Sequence, residues 1–438
     1  MTEAPPPHAA LIVLDGLGDR PHPDTGGQSP VEAARTPHLD RLAAAGRMGQ
    51  VTLIGAGVAP ESDAGVLALL GYDPVRDSPG RGVLEAVGVG LDLAPGDVAL
   101  RLNFATGDGA GAILDSRVGR SLGTEEAKEL ARSLTEADLL APEGIEAEVR
   151  ATVGHRGVLF LHPTRDGRLS PEISNADPFY ERVGGMGRAR SVADPRVLAV
   201  EALDPTPEAA RTAAAVNAFL ARAGDLLAGH PVNARRAMRG RRIANALLVR
   251  NAGTVPAVPL PPLPARLGLA AVAAVTEMPV ERGIARLLGL VDLFVGPMGP
   301  DRDASLRERA EATRQALDRF PLVYVHLKGP DEPGHDGKAL LKREVVEALD
   351  RAFFGPFLDG LDLSRVRIAV TADHATPCVL RGHSDDPVPL LLAGAGVPAA
   401  SPPSGKFGET AAARGPLGAL RGADVLGLLV PRTPGPAA

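Results

Sequence analysis

Three apolar runs along the chain share one kind of ending. Leu11-Ile12-Val13-Leu14 leads into Asp15-Gly16. Leu322-Val323-Tyr324-Val325-His326-Leu327-Lys328 leads into Asp331-Glu332-Pro333-Gly334-His335, and Val366 to Ala372 leads into Asp373-His374, with His383 beyond. Each run predicts a strand, and a strand that delivers carboxylate and imidazole groups at its carboxyl end places them in the crevice where open α/β sheets build their sites. Helices are predicted between them. Thr36-Pro37 opens one that Gly46 can close, the stretch from Asp63 is stopped by Gly71, and an alanine-rich segment runs from Pro205 to about Gly229. A further helix spans Asp303 to Arg319.

From about Ala94 to Asp204 the texture changes. Shorter β-like runs (Val98 to Phe104, Ala112 to Asp115, Gly157 to His162) alternate with Gly, Pro and Asp turns around one helix, Thr124 to Thr135. The expected architecture is α/β: a three-layer core with a mainly parallel sheet in two segments, 1–93 and 205–438, plus an inserted smaller α+β domain, 94–204, that binds and roofs the substrate. Strands are also expected at Leu247 to Arg250 and Leu267 to Val275, both in the core, while Pro5-Pro6-Pro7 and the proline-rich stretch 431–436 are expected to be loosely packed.

Composition narrows the partners. At 438 residues and 45.1 kDa the chain can form two domains, and its net charge of −6 is spread without the basic block that nucleic-acid binding needs. A small-molecule partner is expected. The one cysteine, Cys378, cannot form an internal disulfide and reads as a small buried apolar residue; with no basic-then-apolar leader after Met1 and no run of about eighteen apolar residues, the expectation is a cytoplasmic, membrane-free protein. Positive charge is nearly all arginine; lysine occurs only at 128, 328, 338, 342 and 406, which makes Lys328, beside a candidate ligand, stand out.

Hard divalent metals take carboxylate and imidazole ligands from separate elements, and several strands ending in such residues point to more than one ion. Taken singly, an Asp or His is more often a surface or hydrogen-bonding residue than a ligand. Ser62 in Ala59-Pro60-Glu61-Ser62-Asp63 would begin a helix, where free N–H groups and the dipole favour an anion such as phosphoserine. Alone it would read as a helix cap. Metal coordination would turn its hydroxyl into a nucleophile.

Asp15-Gly16-Leu17-Gly18-Asp19-Arg20-Pro21, Glu61-Ser62-Asp63 with Leu70-Gly71-Tyr72-Asp73-Pro74, Gly80-Arg81-Gly82 with Glu85-Ala86, Arg101 to Thr106, Lys328-x-x-Asp331-x-x-Gly334-His335, and Asp373-His374 with His383 occur in that order. Together they resemble the archaeal-type 2,3-bisphosphoglycerate-independent phosphoglycerate mutases of the alkaline phosphatase superfamily, over nearly the whole chain. The resemblance implies an alkaline-phosphatase-like core and a glycolytic isomerase interconverting 3- and 2-phosphoglycerate through a phosphoserine. It implies one metal on Asp331, His335 and His383 and a second on Asp15, Ser62, Asp373 and His374, the ions being Mn, Zn, Co or Mg, with no 2,3-bisphosphoglycerate. Lys328 would neutralise charge on the transferring group. Arg101, Arg117, Arg120 and His155-Arg156 match the positions that grip substrate carboxylate and phosphate. Two departures stand out: Glu61 precedes the serine where many members carry Gly, and Ser116 stands where a second Arg is common.

Two other functions compete with this one. A dinucleotide fold fails because the third glycine of a Gly16-x-Gly18 fingerprint would fall on Pro21, so no nucleotide cofactor is expected. The closer rival is a phosphatase or phosphodiesterase of the same superfamily, in which water accepts the phosphoryl group.

Overall fold

The computed structural model describes residues 8–165, 167–183, 186–189, 192–401 and 403–430; the two proline-rich ends lie outside the described residues. Two compact units emerge, one of Met1–Asp77 with Pro261–Ala438, the other Ser78–Leu260.

The first unit is built on an eight-stranded sheet in the order Val291–Phe294, Val272–Thr276, Leu322–Leu327, His8–Leu14, Val366–Thr371, Val388–Gly394, Arg47–Thr52 and Ala419–Arg421. Only Val388–Gly394 runs against the rest. The expected mainly parallel α/β sheet is therefore present. Its central strands are buried residue after residue: His8–Leu14 is covered from Ala9 onward and Leu322–Leu327 throughout. Since successive side chains point to opposite faces, burial of both parities means that both faces are covered, which is why these segments read as unbroken apolar runs. Helix Pro37–Ala45 begins after Thr36 and ends at Gly46, as its punctuation predicts.

The second unit has a core of its own. Val98–Gly107 pairs with Arg156–Pro163, with Ala246–Gly253 and, at its end, with Ile113–Asp115, while Ile145–Ala151 lies beyond Arg156–Pro163, all pairs antiparallel. Helices Thr124–Glu136 and Pro207–Ala228 supply Leu130, Leu134, Val216 and Phe219 to the same apolar cluster as Leu100, Leu102 and Leu159. This corrects the expected boundaries. Residues 78–93 and 205–260 go with the smaller unit, because the long helix buries its face on that unit's sheet and Ala246–Gly253 pairs with Val98–Gly107 rather than joining the parallel sheet. The predicted strand at Leu267 to Val275 is also shortened to Val272–Thr276, since Gly268, at φ 66°, ends a short helix, Leu263–Leu267. Among the described residues no helix is long and apolar enough to cross a membrane.

Candidate active site

Register brings the strand ends together. Leu14 pairs with Leu327, and Val13 pairs with both His326 and Thr371, so Asp15, Lys328 and Asp373 leave three adjacent strands at one edge of the sheet. Gly16 then turns the chain at φ 60°. A Cβ there would lie 2.7 Å from Thr376 Oγ1 and 2.8 Å from Asp331 Oδ1, so only glycine lets the backbone pass. Its N–H donates to Asp373 Oδ1 at 3.1 Å, tying the first strand's exit to the last.

Ser62 opens the helix Ser62–Leu69, every residue of which is buried. At Gly65 an added Cβ would come within 1.9 Å of the Asp373 carbonyl oxygen; the glycine lets the helix sit directly on the strand end. Ser62 Oγ lies 3.2 Å from His374 Nε2 and 3.5 Å from Asp15 Oδ1.

The seven candidate ligands fall into two groups. Asp331, His335 and His383 form one, and Asp15, Asp373 and His374 form the other with Ser62 beside it. In the first, both imidazole Nε2 atoms lie 3.4 Å from Asp331 Oδ1 and 3.2 Å from each other. His383 Nδ1 donates to the Pro60 carbonyl at 2.8 Å, which leaves Nε2 as the lone-pair nitrogen facing the carboxylate. Asp331 and His335 reach the same point because they are four residues apart on one helical turn, Asp331–Asp336.

In the second group His374 Nε2 lies 3.4 Å from Asp15 Oδ1 and 3.5 Å from Asp373 Oδ2. Thr376 links the groups. Its hydroxyl donates to Asp331 Oδ1 at 2.7 Å and can therefore only accept from His374 Nδ1 at 3.0 Å, which turns His374 Nε2 toward Ser62 and Asp15. Asp373 Oδ2 is buried and accepts no hydrogen bond among the described residues. Such an oxygen, among convergent imidazole nitrogens, is a donor set that divalent cations fit.

The electrostatics agree. Burial pushes Asp15 up, but Lys328 and hydrogen bonds from His326 and His374 hold it well below the usual carboxylate range. Asp331 is likewise lowered against its burial, by His383 and His374, whereas burial raises Asp373. For His374 burial opposes charge, yet Asp373, Asp15 and Asp331 push its pKa up to about 9. That is a region of negative potential, suited to cations.

Lys328 is where the sequence places it, with Nζ 3.3 Å from Asp15 Oδ2. Around it are residues that sequence reasoning missed. Glu281, on helix Pro279–Leu287, meets Lys328 Nζ at 2.7 Å, and Glu277 Oε1 accepts from the Lys328 backbone N–H at 3.0 Å. His326 Nε2 lies 3.5 Å from Asp373 Oδ2, and its Nδ1 lies 2.8 Å from the Tyr324 hydroxyl. A signal for His326 existed: it sits inside an apolar strand two residues before Lys328, hence on the same face. For Glu281, Glu277 and Thr376 there was none. Burial and three nearby carboxylates oppose each other at Lys328, and the carboxylates prevail, so it remains an ammonium.

The second unit gathers arginines. Arg101 Nε and Arg81 Nε lie 3.3 and 3.2 Å from the same oxygen, Glu85 Oε1. Arg250, its guanidinium over the Tyr180 ring, pairs with Asp177 at 2.5 Å. Burial, reinforced by Arg81, Arg250 and Arg156 and opposed by Glu85, pushes Arg101 down to about 9. Burial and then Arg156, Arg117 and Arg101 take His155 to about 3. The structure thus joins Arg101, His155 and Arg156 in one basic ensemble with Arg117 in electrostatic reach, and adds Arg81, Arg250 and Glu85, which sequence reasoning assigned no role. Arg120 and Arg117 are exposed and line a cavity of about 420 Å³ with Asp115 and Phe179. Between them Val118 has φ 53° and Arg120 itself φ 52°, a strained path for side-chain-bearing residues. Cys378 is buried, its thiol pushed up to about 12 by burial and by Asp19, in keeping with a packing role.

A family model described as 2,3-bisphosphoglycerate-independent phosphoglycerate mutase matches residues 43–233. The enzyme of that name from Aeropyrum pernix is 45% identical over 414 residues, 94% of this chain and 96% of the relative. Its counterpart from Methanopyrus kandleri is 40% identical over 422 residues, covering 96% and 94%. Among solved structures, the PH0037 protein from Pyrococcus horikoshii matches with a TM-score of 0.79 at 31% identity, over 99% of this chain and 100% of that one. A cofactor-independent phosphoglycerate mutase from Thermoplasma acidophilum matches with a TM-score of 0.62 at 32% identity, over 97% and 98%.

Proposed function

The chain belongs to the 2,3-bisphosphoglycerate-independent phosphoglycerate mutases, and on that premise we propose that it interconverts 3- and 2-phosphoglycerate through a phosphoserine at Ser62. One observation carries the reading: the Ser62 hydroxyl, at a helix N-terminus, lies within 3.2 Å of His374 Nε2 and 3.5 Å of Asp15 Oδ1. Asp331, His335 and His383 would hold one divalent cation, and Asp15, Ser62, Asp373 and His374 a second. Mixed imidazole and carboxylate donors suit Mn, Zn or Co, and Mg less well. Bound there, such ions acidify a coordinated hydroxyl and neutralise phosphoryl oxygens.

The chain's own groups do the rest. Ser62 Oγ gives up its proton and forms the new bond to phosphorus as the glycerate oxygen leaves with its electron pair and takes up a proton, becoming a hydroxyl. The glycerate's neighbouring hydroxyl then takes the phosphoryl group back and Ser62 is restored, so no 2,3-bisphosphoglycerate is consumed. The free helix N–H groups favour the phosphoserine anion. Lys328 remains an ammonium beside Asp15 and neutralises charge on the transferring group. To the unit Ser78–Leu260 we assign anion recognition: Arg101, Arg117, Arg120 and Arg156 present guanidinium forks suited to carboxylate and phosphate. His155, at about 3, is neutral at pH 7 and would act as a hydrogen-bonding group rather than an acid.

The test is turnover of 3-phosphoglycerate by the Mn²⁺-loaded protein in an enolase-coupled assay. Formation of 2-phosphoglycerate without free phosphate is expected. Free phosphate without the isomer would transfer the reading to a phosphatase, and no turnover of phosphoglycerate at all would end it.

A further inference from the structure

Lys342 is one of five lysines and is wholly buried, on helix Ala339–Leu349. Four oxygens converge on its Nζ: the carbonyls of Gly16 at 2.8 Å, Thr376 at 3.0 Å and Gly18 at 3.2 Å, and Asp19 Oδ2 at 2.9 Å. An ammonium has three N–H bonds, so this is a saturated cation cage. Three backbone carbonyls aimed at one point repel each other, and the ammonium between them offsets that repulsion.

The cage joins two loops. Residues 16–19 follow Asp15, and residues 375–378 follow Asp373 and His374. They are laced further by Thr376 N–H to the Gly18 carbonyl at 2.9 Å and by Cys378 N–H to Asp19 Oδ1 at 3.0 Å. Thr376, whose carbonyl meets Lys342, also holds Asp331 and His374 through its hydroxyl. The lysine therefore sits at the root of both candidate ligand groups, and its Nζ meets backbone carbonyls and Asp19 rather than the ligand side chains themselves.

We propose that Lys342 is a positioning residue for the cation-binding groups, its ammonium serving as an internal cation around which the loops bearing Asp15 and Asp373-His374 are folded. The proposal rests on reading those groups as metal ligands. Supporting partners of metal ligands typically change affinity 10- to 100-fold when removed, and a weakening of that order is expected for Lys342→Ala.

The experiment uses the full chain. Mn²⁺ is titrated calorimetrically into wild type and Lys342→Ala, with methylammonium chloride or tetramethylammonium chloride at equal ionic strength, and amide exchange at Thr376 and Cys378 is followed in parallel without metal. Methylammonium, which can re-enter the vacated cage, should restore both Mn²⁺ affinity and amide protection; tetramethylammonium, too large to enter and without N–H groups, should not. If Lys342→Ala does not fold, Lys342→Met with Asp19→Asn removes both charges together and should show the Mn²⁺ deficit without methylammonium rescue. Wild-type Mn²⁺ affinity in a variant lacking Lys342, or a deficit in Lys342→Ala that methylammonium leaves untouched, overturns the proposal. Should wild type bind no Mn²⁺, the metal reading itself fails, and amide exchange decides the rest: protection lost in Lys342→Ala and regained with methylammonium supports the cage, and unchanged protection refutes it.

Discussion

Arg101→Met is expected to stabilise the ligand-free protein while weakening its hold on phosphoglycerate. Arg101 is largely buried with Arg81, Arg156 and Arg250 nearby, and Glu85, 3.3 Å away, is the carboxylate that offsets its charge. Its displacement from 12.5 to about 9 means that the folded state disfavours the charged form even with Glu85 counted. At 1.36 kcal/mol per pH unit this corresponds to roughly 5 kcal/mol, and local relaxation reduces the recoverable part to about 2–3 kcal/mol. The sign follows from linkage: a base depressed on folding burdens stability at every pH below its folded pKa, so the full cost is present at pH 7 and is relieved only as pH rises from about 9 toward 12.5. Methionine keeps most of the volume and removes the charge, and Glu85 retains Arg81 at 3.2 Å. Urea unfolding followed by circular dichroism should show the midpoint rising by about 1 M if the urea slope is near 3 kcal/mol per M. A saturating anion should do for wild type what the substitution does for the variant: at 100 times its dissociation constant, phosphoglycerate adds about 2.7 kcal/mol, and the variant should gain far less. A variant that unfolds at lower urea than wild type yet keeps full protection by phosphoglycerate would refute the view of this cluster as a strained anion site.

Ser62→Ala should remove mutase turnover while leaving Mn²⁺ binding largely intact, because the carboxylates and imidazoles remain; unaltered turnover would unseat the nucleophile. At Glu409, burial outweighs hydrogen bonds from Ser29 and the Asp19 N–H and raises the carboxyl from 4.5 to about 7. Because this acid is raised on folding, wild type should lose stability as pH rises from about 4.5 through 7, by roughly 1–2 kcal/mol after allowing for its partial exposure, and Glu409→Gln should not; parallel urea midpoints at pH 5 and pH 8 would contradict this. Gly65→Ala forces a Cβ toward the Asp373 carbonyl, 1.9 Å away, and should cost about 1–3 kcal/mol and lower turnover, since the helix that must retreat carries Ser62. Wild-type thermal stability and activity together would show that the helix can shift without harm.

Most of the candidate ligand residues were readable because they follow a short local pattern, an apolar strand and then a carboxylate or imidazole soon after its exit; His383 lies farther on, in the loop before Val388–Gly394. The same holds for Ser62, announced by the helix that Gly71 closes, and for the parallel sheet, announced by unbroken apolar runs. His326 carried a weaker signal, an imidazole inside an apolar strand two residues before Lys328 and so on the same face. Glu281, Thr376 and Lys342 had no local signal at all, since a glutamate on an amphipathic helix or a lysine in a helical run looks the same whether it faces water or a cage of carbonyls. The boundary of the smaller unit was misplaced for a related reason. The apolar face of Pro207–Ala228 says that the helix must pack, not on which sheet.

Sequence alone therefore determined which strands end in chemistry and which family they resemble, because those properties depend on neighbours a few residues away. Tertiary structure alone decided that Asp15 shares one edge with Asp331 and Asp373, which lie more than 300 residues further along the chain: parallel register sets Val13 against both His326 and Thr371, and hydrogen bonding between strands fixes that alignment. It decided equally which charges are buried together, because the cost of burying a charge depends on what surrounds it in space.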